Sequence, residues 1–164
     1  MTARSAYLIA AIVFIADQLS KWWIISGLKL ESLGSVPLLP FLSFTWVENR
    51  GVAMGLFQAE ADIGRWLLVI LTGAIAAAII WWINSERDST DLAAMGIILG
   101  GAIGNIVDRV RLGYVADFVH LHWGDWSFYV FNVADAAITI GVGLLLLRAF
   151  FGTDAHIEEE KDHA

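Results

Sequence analysis

The stretch Trp66–Ile83, WLLVILTGAIAAAIIWWI, carries no charged residue and is bounded by Trp66 at one end and Trp81-Trp82 at the other. A helix needs about 20 mainly apolar residues to cross the roughly 30 Å hydrocarbon layer of a bilayer. Tryptophan at both ends is the expected marker of the two lipid–water boundaries. The segment therefore reads as a transmembrane helix. Three more stretches share its character: residues 7–25, 92–107 and 133–151. Arg4 and the first apolar run resemble the start of a signal peptide. Asp17 interrupts that run, however, and Lys21-Trp22-Trp23 follows it instead of small residues, so it is read as a retained span. The composition agrees: 58% of the 164 residues are hydrophobic, 8 are Trp, and the mean hydropathy is +0.67. The expected fold is an α-helical polytopic membrane protein with four transmembrane helices in one domain, residues 1–153.

Between the first two spans, about residues 30–60 follow a different pattern. Pro37 and Pro40 punctuate it, and Phe44 and Trp46 alternate with Ser43, Thr45 and Val47, the period of a strand. Asn49-Arg50-Gly51 reads as a turn. A small β element on the membrane surface is expected there. Residues 123–131, WGDWSFYVF, form a second aromatic stretch suited to the lipid boundary. Much of the net charge of −7 lies in residues 154–164, where five acids face Lys161; this run reads as a solvated, disordered tail. Nucleic acid is excluded as a partner. With no cysteine, disulfides, thiolate metal sites and cysteine nucleophiles are all excluded. Counting Arg4, Arg87, Arg148 and Lys161 against the other six basic residues favours termini outside the cell.

Against this apolar background the polar residues stand out. Asp117, in YVADF, and Asp135, in FNVADA, lie where spans end or begin. A carboxylate at membrane depth is costly and usually marks function. Two of them, each among small and apolar neighbours, are material for a proton-sharing pair. In the third span Gly96, Gly100 and Gly104 recur at four-residue spacing, which lets a neighbouring helix approach closely. Asn105, Asp108 and Arg109 stand at i, i+3 and i+4 and share a helical face. They either end the helix among headgroups or form a polar cluster facing inward. Asp17 and Lys21, at i and i+4, read as a structural ion pair. Asn49 reads as a turn residue or as a hydrogen-bond donor to substrate. His120 and His122 could share one side of a strand, but with no third ligand no metal site is assigned.

In sum these residues resemble the bacterial lipoprotein signal peptidases, the signal peptidase II family. The likeness rests on five ordered motifs: Asp17-Gln18-Leu19-Ser20-Lys21, Asn49-Arg50-Gly51-Val52-Ala53, GGAIGNIVDR at 100–109, VADF at 115–118 and FNVAD at 131–135. Two departures are visible, Arg50 where many members have Thr and Met54-Gly55 where many have Phe. The resemblance implies that Asp117 and Asp135 are the catalytic pair. It also implies that Asn49, Gly51, Asn105, Arg109 and Asn132 bind substrate or support the pair, leaving Asp17, Lys21 and Asp108 as structural polar residues. It further implies a prolipoprotein substrate already carrying diacylglycerol and cut on the amino side of its lipidated cysteine. The enzyme would need no cofactor and would work as a monomer among membrane lipids. Its address would be the bacterial cytoplasmic membrane, with the active site and β element outside and both termini inside.

The residues allow that chemistry. There is no Gly-x-Ser-x-Gly elbow and no His-Glu-x-x-His. Two close carboxylates cannot both ionise cheaply, so they hold one proton over a broad pH range. The ionised partner would take a proton from water as the water attacks the scissile carbonyl. The protonated partner would hydrogen-bond the carbonyl oxygen, and the pair would then protonate the leaving amine. The competing reading is a small proton-coupled carrier, in which intramembrane acids relay protons. Such carriers more often show repeated halves and broken helices; neither is visible here.

Overall fold

Thr2 starts the first helix by accepting a hydrogen bond from the Ser5 N–H at 3.4 Å. The computed structural model describes residues 1–52, 57–58, 62–124 and 126–151. The acidic stretch 154–164 lies outside the described residues. Helix α1 spans Ala3–Trp22 and closes in a π-helical turn, Trp23–Gly27; a short helix α2, Leu30–Leu33, follows. Next come strands β1 (Ser35–Leu39), β2 (Leu42–Asn49), β3 (Gly51–Val52) and β4 (Phe57–Gln58). Helices α3 (Asp62–Ser85) and α4 (Ser89–Arg111) precede β5 (Val115–Trp123) and β6 (Trp126–Ser127), and α5 covers Val133–Phe151. Among the described residues four helices, α1 with its π turn, α3, α4 and α5, are long and apolar enough to cross a membrane.

The first three of these reach beyond the apolar segments that mark them in the sequence, because polar residues cap and continue them. Asp88, for example, accepts from the N–H groups of Thr90 (2.7 Å) and Asp91 (3.2 Å) and so starts α4 ahead of its apolar run. At a rise of 1.5 Å per residue the 19 residues of α5 are about 28 Å long, close to the apolar layer they would cross.

Helix α4 is the axis of the bundle. In its most apolar window 61% of residues are buried, against 17–22% in the other three spans. Glycine makes this possible. A Cβ on Gly100 would sit 2.5 Å from the Ala10 carbonyl oxygen of α1, and one on Gly101 would sit 2.5 Å from the Ala134 carbonyl oxygen of α5. No side chain fits at either distance, so α4 touches both neighbours backbone to backbone. Ala6, Ala10, Ile79, Ile83, Leu92, Met95 and Leu99 fill the core between them. The outward residues remain apolar, among them Leu8, Ile12, Leu67, Ile70, Leu146 and Leu147. Such a surface is matched to lipid. Far from the sheet, Arg148 of α5 pairs with Asp88 and Asp91 at the start of α4.

Outside the spans lies a four-stranded antiparallel sheet of order β1-β2-β5-β6, with a separate β3–β4 pair. It differs from the sequence expectation in one respect: the β element is not confined to the segment between the first two spans. Half its strands come from residues 115–127, after α4. Val115, Ala116, Asp117 and Phe118 are all buried, so this stretch shows no inside–outside alternation and resembles the end of a span. Asp117 therefore sits on a strand and not at a helix end. Phe118 anchors the sheet to the bundle by packing with Ile24 and Leu30.

Candidate active site

Strand pairing and a helix cap bring the acids together. In the β2–β5 register Val47 faces Asp117 and Asn49 faces Val115. Period-two alternation puts Asn49 and Asp117 on one face as diagonal neighbours. Asn49 uses this position to donate to Asp117 Oδ2 at 3.0 Å. The second acid comes from a helix start. Asn132 precedes α5, and its Oδ1 accepts from the Asp135 N–H at 3.0 Å, while Asp135 Oδ2 accepts from the Asn132 N–H at 3.3 Å. This reciprocal arrangement is a capping box, which fixes Asp135 in the first turn.

Two asparagines then join the acids. Asn132 Nδ2 donates to Asp117 Oδ1 at 2.6 Å, so one side chain caps the helix of one acid and binds the other. Asn105, on α4, donates to Asp135 Oδ1 at 2.8 Å and accepts from Asn132 at 3.4 Å. Asp117 and Asn132 are fully buried. Burial first, and then the charge of Asp135, push the Asp117 carboxyl up to about 7, although Asn49, Asn132 and Lys21 pull the other way. At neutral pH Asp117 is thus poised between its two protonation states.

Beneath the pair lies a second polar cluster. Lys21 Nζ meets Asp17 at 2.8 Å and Asp108 at 2.7 Å, all three buried, and reaches Asn105 Oδ1 at 3.3 Å. Asp17 Oδ1 also accepts from the Ala134 N–H at 2.9 Å. Gly104 allows this approach: a Cβ there would lie 2.5 Å from the Asp17 carboxylate. Of the alternatives left open for Asp108, the inward cluster is the one observed. Arg109 donates to the Asn105 carbonyl at 3.3 Å, and its Nε is buried without a partner. Among the described residues Arg109 makes no ion pair with either acid. Gly51 donates its N–H to Asn49 Oδ1 at 3.3 Å, holding that amide in place.

His120 and His122 stand apart from this network, their rings bonded to Thr45, Ser127 and Ser43. Among the described residues no group of three His, Cys, Asp or Glu side chains could hold a metal. Two participants were assigned no role of their own from the sequence. Gln18 donates to Asp17 (3.2 Å) and Asp108 (3.0 Å); its signal was an amide in an apolar span. Tyr129 accepts from Asn49 at 2.9 Å, and nothing in its aromatic stretch set it apart. Beside the acids runs a surface groove of about 540 Å³, lined by Phe128, Tyr129, Phe131, Asp135, Ile138 and Thr139 among others.

An amide-bridged pair of carboxylates, one buried and one half-buried beside a groove, at the edge of a four-span bundle defines a membrane enzyme of the acid–base type. Comparison with known proteins gives the family. The profile of Signal peptidase (SPase) II matches residues 9–151, and the chain belongs to that family. It is 52% identical over 153 residues to the lipoprotein signal peptidase of Rhizorhabdus wittichii, covering 93% of this chain and 89% of that one. It is 49% identical to the protein of the same name from Sphingopyxis alaskensis, covering 90% and 89%. Among solved structures it resembles a bacterial membrane enzyme determined by the in meso method at 2.3 Å resolution. That likeness has a TM-score of 0.79 at 31% identity, over 91% of this chain and 89% of the other. The carrier reading finds no support in these matches.

Proposed function

We propose that this chain is an intramembrane aspartic endopeptidase that removes the signal peptide from diacylglyceryl-modified prolipoproteins, cutting on the amino side of the lipidated cysteine. The observation that carries this reading is the pair Asp117 and Asp135, joined through Asn132 and Asn105 and opening on an apolar groove. The family and the names of the relatives support the substrate class.

The upward-shifted carboxyl of Asp117 supports that residue as holder of the shared proton at neutral pH. Asp135, bound by Asn105 and by the Asn132 backbone, then takes a proton from the attacking water. The water oxygen bonds to the scissile carbonyl carbon while Asp117 gives its proton to the carbonyl oxygen, leaving a neutral tetrahedral diol. Collapse breaks the C–N bond, and a proton from the pair goes to the departing amine. The two amides keep the carboxyls oriented throughout, and Arg109, which donates to the Asn105 carbonyl, supports the residue that binds Asp135.

The lipid on the substrate accounts for the location of the site. The groove beside Asp135 is walled by Phe128, Phe131, Ile138 and Ile140, so an acylated peptide can enter sideways from the bilayer. Lipoprotein precursors present their cleavage site at the outer face of the cytoplasmic membrane. The acids and the sheet therefore lie at that face, with both termini in the cytoplasm. Both acids and the amides that bind them come from one chain, which supports a monomer as the working unit. Purified protein mixed with a diacylglyceryl-modified prolipoprotein should produce a gel shift to the mature form, and the unmodified precursor should stay intact. Failure to cut the modified substrate would refute the reading.

A further inference from the structure

Tyr129 lies next to the acids in a way that the two-carboxylate mechanism leaves unused. The Asn49 amide nitrogen has two hydrogens. One goes to Asp117 Oδ2 at 3.0 Å and the other to the Tyr129 hydroxyl oxygen at 2.9 Å. Tyr129 and Asp117 are thus held by one nitrogen, no farther apart than those two bonds allow. Because Asn49 donates, the hydroxyl spends an acceptor lone pair on it and keeps its own hydrogen. Among the described residues no acceptor takes that hydrogen. Tyr129 also lines the groove with Asp135, where the other polar lining residue, Thr139, has its hydroxyl turned back onto the Asp135 carbonyl at 2.8 Å. Burial, and then the charges of Asp117 and Asp135, raise the Tyr129 hydroxyl above its ordinary range, so it stays protonated at working pH.

We propose, on the basis of the peptidase reading above, that the Tyr129 hydroxyl is a further catalytic group: it donates a hydrogen bond to the scissile carbonyl oxygen. A carboxyl that shares one proton with its partner supplies a single donor to that oxygen. As the carbonyl becomes tetrahedral its oxygen gains negative charge and has room for a second donor, and fixed donors aimed at such an oxygen are worth most in the transition state. Tyr129 provides it without moving the dyad's proton. Its oxygen is held by Asn49, and Asn49 in turn by the Gly51 N–H at 3.3 Å, so the hydroxyl is positioned before substrate arrives.

The test compares wild type, Tyr129→Phe, Tyr129→His and Asp117→Asn on a diacylglyceryl-modified prolipoprotein, at a temperature below every variant's melting point. Tyr129→Phe should lower kcat about tenfold or more, as expected for removing one donor to a developing oxyanion. Its KM should remain within about twofold, and the midpoints of its pH–rate profile should be unchanged, since a hydrogen bond made in the transition state affects turnover and not ground-state binding. Tyr129→His, which retains an N–H, should recover part of that loss. A kcat within twofold of wild type, a loss confined to KM, or equal activity of the Phe and His variants would each overturn the proposal. A shifted alkaline midpoint would overturn it too, because Tyr129 would then be acting through Asn49 on Asp117. Cleavage by wild type but not by Asp117→Asn, with Tyr129→Phe indifferent, would remove this proposal alone. No cleavage by wild type would remove the parent reading with it.

Discussion

The Asp17 carboxylate accepts a 2.9 Å hydrogen bond from the backbone N–H of Ala134, the residue immediately before Asp135. The first N–H groups of a helix have no partner inside it. Here a side chain from the first span satisfies one of them at the turn that bears Asp135. Asp17 is also paired with Lys21, which holds Asp108 and reaches Asn105. The lower cluster thereby fixes three elements, α1, α4 and α5, relative to one another.

Removing Asp17 leaves Lys21 in a buried cluster short of one anion and frees the Ala134 N–H. Breaking a buried ion pair from one side typically costs about 3–5 kcal/mol. Asp17→Ala should therefore lower the melting temperature substantially in a detergent thermal-shift measurement, and activity should fall with the folded fraction. Full stability with no activity would mean that Asp17 acts on the chemistry directly.

Helix approach can be tested at single methyl groups. Gly100→Ala places a Cβ 2.5 Å from the Ala10 carbonyl oxygen and must push α1 away from α4, whereas Gly143→Ala meets nothing within 4 Å. The first should destabilise the protein by 1 kcal/mol or more, on the order of an overpacking penalty, and the second should leave the melt unchanged. Equal melts would show that α1 and α4 do not meet at this residue.

Proton sharing has a signature in pH. The last proton leaves the pair near the raised Asp117 value, so cleavage should decline as pH rises through about 7. Stability follows the same sign. A native carboxyl whose value lies above that of the unfolded chain favours folding while protonated, and this contribution is lost as pH rises toward about 7. Asp117→Asn, which stays neutral, should gain melting temperature relative to wild type at pH 8 compared with pH 5. A difference that is the same at both pH values would argue against a raised Asp117.

The spans were the most legible part of the fold, because a lipid-facing helix must be apolar on its outside and long enough to cross. Gly96, Gly100 and Gly104 announced by spacing that a neighbouring helix comes close to α4, and only the structure shows that it is α1. The acids were legible too, as charges where charge is costly. The strand carrying Asp117 was not, since residues 115–118 are buried on both faces and carry no alternating pattern. The part of Asn132 could not be read from order either. Its one side chain caps α5 and binds an acid from a strand fifteen positions away, a link made only by tertiary packing. Tyr129 was hidden by its neighbours, as one aromatic among several at the lipid boundary.

Orientation sets the charge count against the substrate. The basic residues favour termini outside, while a site facing exported precursors requires termini inside. Since the chain has no cysteine, single cysteines can be read without background. An impermeant thiol reagent on intact cells should label Ser35→Cys and Gly124→Cys and should not reach Ser89→Cys or Ala155→Cys. The reverse pattern would put the acids on the wrong face for the proposed substrate.

The most direct measurement is cleavage by Asp117→Asn and Asp135→Asn. Each change retains the size of the side chain and removes the group that titrates. Both purified variants should insert and fold like wild type, and both should leave the diacylglyceryl-modified prolipoprotein uncut in a gel-shift assay that wild type completes. Near-normal turnover by either variant would contradict a mechanism in which these two carboxyls share the proton that breaks the peptide bond.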